Sequence, residues 1–198
     1  MEEKKVDIDL YKEIITELYE FRDKVYTECT NIHSAAKVCE DFWNVEHEFS
    51  NKTMEVYKNT HDIMNEIQKL SKIIANLEEE SSNAIAGIPP LHNEYNGKKG
   101  ELTYMTVTAE GIRILNSYAS SLRESNENII NAVEYMRIKT GSVQNRLGDK
   151  ADAINACLER IQELTIKNTE PCNYLAGGLN NVAMAYQELN DSDSVKPC

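Results

Sequence analysis

The chain has 198 residues, 41% of them hydrophobic, and a formal net charge of −12. That is enough apolar material for one sizeable core or two small ones. Acid exceeds base in both halves, with 20 Asp/Glu to 12 Lys/Arg in residues 1–99 and 13 to 9 in residues 100–198. A polyanionic partner is therefore repelled at long range, which disfavours nucleic acid and anionic membrane surfaces.

The apolar runs are far shorter than the roughly 20 residues that cross a bilayer, so no membrane span is expected. Met1-Glu2-Glu3-Lys4-Lys5 is followed by no apolar stretch. A usual secretory signal is thus not expected, and any export would follow a leaderless route. The five cysteines form no Cys-x-x-Cys pair, which points away from a disulfide framework and from a zinc site. Cys29, Cys39 and Cys172 fall on helical stripes and read as buried thiols, with Cys198 terminal, which suits a reducing compartment, so the location expected is cytoplasmic, with leaderless secretion as the other route.

The first predicted helix runs from about Asp9 to Glu40. Its stripe is Tyr11, Ile15, Leu18, Arg22, Val25, Cys29, Ile32, Ala36 and Cys39, ending at Trp43. After Trp43-Asn44-Val45 a second stripe follows through Phe49, Thr53, Val56, Thr60, Ile63, Ile67, Leu70, Ile74 and Leu77, predicting a helix from near Glu46 to about Asn83. The three-four spacing is that of one helix face. A helix of about 35 residues is roughly 50 Å long and buries such a face only against other helices. The pair therefore reads as helical hairpin 1, residues 8–83, with its turn at Trp43.

Gly87, Pro89 and Pro90 end the second helix, and 84–107 reads as a linker with a small β-hairpin across Asn96-Gly97-Lys98-Lys99-Gly100. Thr108 is a candidate N-cap for a third helix through Ile112, Leu115, Tyr118, Leu122, Ile129, Val133 and Met136, stopping near Thr140-Gly141-Ser142. The last stripe runs Leu147, Ala151, Ile154, Leu158, Ile161, Thr165, Asn168, Cys172, Leu175, Leu179, Val182, Tyr186 and Leu189. Pro171 and Gly177-Gly178 predict a kink or break between about Asn168 and Cys172. Helical hairpin 2 is thus placed at 108–190, with its turn near Leu147-Gly148-Asp149 and a patternless tail at 191–198. The fold class expected is all-α: two long hairpins packed as an elongated antiparallel four-helix bundle, a tandem repeat of one plan.

Chemistry leaves fewer marks. Glu46, His47 and Glu48 are adjacent and point in different directions on a helix, and no Glu-x-x-His pair is present. No metal, cofactor or catalytic site is expected, and the protein reads as a non-enzyme. Arg137, Lys139, Arg146 and Lys150 gather near the second turn and read as a solvated tip. Arg22, Thr53, Thr60 and Asn168 are polar positions on the stripes, of the kind that fix register in bundles.

Hairpin 1 with its tryptophan turn, and a C-terminal end reading Leu179-Asn-Asn-Val-Ala-Met-Ala-Tyr186-Gln-Glu-Leu-Asn190-Asp191, resemble the WXG family of early-secreted-antigen-like proteins in a degenerate tandem form. Trp43-Asn44-Val45 keeps the tryptophan of that motif and lacks its glycine; Leu147-Gly148-Asp149 has a glycine and no tryptophan. The family's Tyr-x-x-x-Asp element is matched by Tyr186 and Asn190, with Asp191 one place late. The resemblance implies a type VII secretion substrate or substrate partner, read through a composite surface of Trp43, Asn44, Tyr186, Asn190 and Asp191. It implies a protein partner, either a secretion ATPase or a helical co-substrate, and a monomer or homodimer. The other class of function open to such a bundle is a cytosolic adaptor, chaperone or immunity protein that holds a toxin or effector.

Overall fold

The structure, a computed structural model, describes residues 8–42, 47–80 and 109–194. Trp43 and Asn44, the linker 84–107 with its expected β-hairpin, and residues 195–198 lie outside the described residues. Four long helices carry the fold: α1 (Ile8–Val38), α2 (His47–Glu80), α3 (Ala109–Ser142) and α5 (Asp149–Ser194), with a one-turn α4 (Gln144–Leu147) between the last two. A 3₁₀ turn, Cys39–Phe42, closes α1. No strand occurs among the described residues.

The stripes read from the sequence are the buried faces over most of their length; Leu189, at the end of the last one, is more than half exposed. Ile15, Leu18, Val25, Ile32, Val56, Ile63, Ile67, Leu70, Ile74, Leu115, Leu122, Ile129, Ile154, Leu158 and Ile161 are fully buried in one continuous core. Side chains recurring every three or four residues line one side of a helix, so each helix offers a single apolar seam, and four seams closing on one axis satisfy all of them.

Side-chain pairs fix the directions. Glu28 accepts from Asn128 at 3.0 Å, while Glu17, earlier in α1, meets Lys139, later in α3, at 2.7 Å; α1 and α3 are antiparallel. Between α2 and α5, Phe49 meets Gly178, Lys52 meets Glu170 and Asn59 meets Asn168; these are antiparallel too. In hairpin 1, Tyr19 donates to Glu78 at 2.7 Å. Each of α1 and α5 packs on both α2 and α3 and lies diagonally across from the other.

This is an antiparallel four-helix bundle in which α2 and α3 run the same way. The chain between Glu80 and Ala109 therefore joins opposite ends of a bundle roughly 50 Å long. Its 28 residues reach about 90 Å when extended, which suffices.

Hairpin 2 turns at Gly148, whose φ of 56° and ψ of −135° lie where a side chain would strain the backbone. Its N–H donates to the Gln144 carbonyl at 3.2 Å and closes α4. Two expectations for the last helix need correction. α5 does not break near Pro171, which lies inside one continuous helix, and it runs past Asn190 to Ser194. A proline in a helix interior costs about 3 kcal/mol, but Leu164, Thr165 and Asn168 before it and Cys172, Leu175, Ala176 and Leu179 after it are all buried. Packing on both sides of the proline outweighs the local preference to stop.

Candidate functional site

The sequence singles out one end of the bundle. There Phe42 closes α1 and Phe49 opens α2, and both are buried. The Phe49 ring lies in a notch of α5: a Cβ added at Gly178 would be 2.0 Å from its Cζ. It also meets Tyr174 edge-on at 6.1 Å between centroids. Gly178 thus serves close approach between α2 and α5 rather than helix termination.

Tyr186, eight residues or about 12 Å further along α5, is half-buried and packs against the core. Asn190 is half-buried one turn on, and Asp191 is exposed and accepts from Gln187 at 3.1 Å. The described three of the five candidate residues therefore lie on the last turns of α5. Met184 and Leu189 beside them are more than half exposed. Trp43 and Asn44, between the two described phenylalanines, complete the set in sequence.

Next to this end, the ring of His33 on α1 stacks on Tyr57 of α2, 4.2 Å between centroids, and Tyr57 donates to Glu40 at 2.6 Å. Burial, with Lys37 nearby, lowers the His33 pKa. Tyr19, at the opposite end, is pushed up to about 12 by burial and by its bond to Glu78.

The polar stripe positions divide into two kinds. Thr53 and Thr60 are buried and donate to the carbonyls of Phe49 and Val56, one turn back. Arg22 is buried, bonds Asp23 and lies 4.6 Å from the Tyr19 ring centre. These are local solutions.

Asn168 instead centres a layer that crosses three helices. It accepts from Asn59 of α2 and donates to Asn126 of α3, both at 3.3 Å, and to the Cys172 sulfur. Asn126 in turn donates to the Thr165 carbonyl and to Thr169. Asn59 Oδ1 alone, among the described buried side-chain oxygens and nitrogens, has no partner. Asn59 and Asn126 escape a reading based on apolar seams. Their trace is the gap between Leu122 and Ile129 in α3, where the inward positions are Ser125 and Asn126.

Cys29, Cys39, Cys157 and Cys172 are buried free thiols. Burial raises all four, Cys39 and Cys172 to about 12, so they stay protonated and unreactive. No group of three His, Cys, Asp or Glu among the described residues is arranged to hold a metal ion. At the other end of the bundle, Arg137 bonds Gln162 and Lys139 pairs with Glu17. Among the described helices none is long and apolar enough to cross a membrane.

In comparisons with known proteins, no family model, no curated protein and no solved structure matches this chain.

Proposed function

We propose that this chain works by being recognised, as a non-enzymatic helical bundle resembling a type VII secretion substrate or the partner of one. The surface read would be Trp43 and Asn44 from the turn of hairpin 1 with Tyr186, Asn190 and Asp191 from the end of α5. The observation that supports this is the Phe49–Gly178 contact. It brings Phe49, six residues after Trp43 in sequence, to within about 12 Å along α5 of Tyr186. A composite of the two hairpins needs that antiparallel arrangement, and a single chain supplies it without a second subunit.

The test is export from the producing cell. Tyr186→Ala should leave the helical content and the thermal midpoint within a few degrees of the parent, because the side chain is only half-buried, and should abolish appearance of the protein in the medium. Parent protein that stays inside the cell, or a Tyr186→Ala variant exported as well as the parent, would overturn the reading.

One observation favours the second class, a resident adaptor, chaperone or immunity protein: four reduced thiols packed in the core suit a life in a reducing compartment. In that case the parent protein stays inside and co-purifies with a toxin or effector.

A further inference from the structure

The middle of α5 collects features that weaken a helix. Pro171 has no N–H, so the Lys167 carbonyl lacks its helical donor. One turn earlier, the Thr165 carbonyl accepts both Asn126 Nδ2 and Thr169 Oγ1 besides its place in the helix ladder. Asn168, on the same turn, ties α5 to α2 and α3 only through 3.3 Å amide bonds. Its neighbour Asn59 leaves a wholly buried oxygen unpaired, which is a cost that any opening at this level removes by letting water in.

The two halves of α5 on either side of this joint are unequal. Before it the buried seam is Ala151, Ile154, Cys157, Leu158, Ile161 and Leu164. After it the buried side chains include Cys172, Ala176 and Ala183, with Gly177 and Gly178 between them, and Leu175 and Leu179 as the large ones. Two glycines lower the helix propensity beyond the joint. The ion pair nearest the boundary, Lys52–Glu170, lies on its proximal side and leaves Glu170 largely exposed, so the distal half draws no support from it.

We infer that α5 is two cooperative units joined at Thr165–Cys172, and that the distal unit, Cys172–Ser194, opens as one piece while the proximal unit remains folded. The missing donor at Pro171 interrupts the hydrogen-bond ladder, so unfolding that enters from the C-terminal side meets a boundary there and does not run on to Asp149. Opening uncovers Phe49 on α2, which packs on Gly178. The inference stands on the helix itself and does not depend on how the end of the bundle is used. It also means that Tyr186 belongs to the unit that opens.

Native-state hydrogen exchange on the full reduced chain tests this. Amides from Cys172 to Tyr186 should share one protection level, about tenfold or more below those of Ala151–Thr165, with a step at Pro171. Pro171→Ala restores the donor and should bring the two levels to within about threefold. A smooth decline in protection toward Ser194 with no step is fraying and would overturn the inference. Equal protection along the whole helix in the parent would overturn it too, as would a step that survives Pro171→Ala unchanged.

Discussion

Two adjacent glycines in α5 have opposite duties. Nothing lies within 4 Å of a Cβ at Gly177, whereas one at Gly178 would overlap the Phe49 ring. Gly177→Ala should therefore stabilise the protein by the helix-propensity difference, about 1 kcal/mol. Gly178→Ala gains the same propensity but forces a rigid ring out of its notch, and overpacking of that kind costs about 1–3 kcal/mol. Thermal melts should move in opposite directions for the two variants, and Phe49→Leu should relieve the second. Equal stabilisation by both would mean that the α2–α5 contact is looser than described. From the sequence the Gly-Gly pair reads as a helix breaker, because the local signal for termination and the signal for close approach are the same residue. Only the partner helix tells them apart.

At the scale of the element, the apolar period was sufficient to find four long helices and their buried faces, since a stripe of three-four spacing has one physical use. Helix ends were less legible. α5 passes through Pro171 because its flanks there are buried against two neighbours, a tertiary effect that propensity does not contain.

The asparagine layer was half legible. Asn168 stood out on an otherwise apolar stripe, whereas Asn126 fell in a gap and Asn59 one position off the seam. Asn168→Leu tests what joins them: it strands Asn59 Nδ2 and Asn126 Oδ1 in the core, and a buried group left unpaired costs about 1–3 kcal/mol. Denaturant melts should show a clear fall in midpoint despite the added apolar volume. A variant as stable as the parent would show that the layer is a tolerated defect and not a register device.

For the whole molecule, hairpin pairing could be anticipated as a class but not in its detail. Four long seams demand four-helix closure, yet which helix neighbours which is decided by the paired side chains that no single stripe displays. The candidate site shows the same division. Tyr186, Asn190 and Asp191 share the last turns of α5, an outcome of spacing alone, while their relation to hairpin 1 rests on the antiparallel packing of α2 on α5.

Two native ion pairs report on that packing across the hairpins: Lys52–Glu170 at 2.6 Å between α2 and α5, and Lys139–Glu17 at 2.7 Å between α3 and α1. A carbodiimide joins lysine to carboxylate only where they touch. Applied to an equal mixture of ¹⁴N and ¹⁵N protein, it should yield both cross-linked peptide pairs with both peptides from the same isotope. Mixed-isotope pairs would mean that hairpins exchange between chains, and absence of the two links would contradict the antiparallel bundle itself.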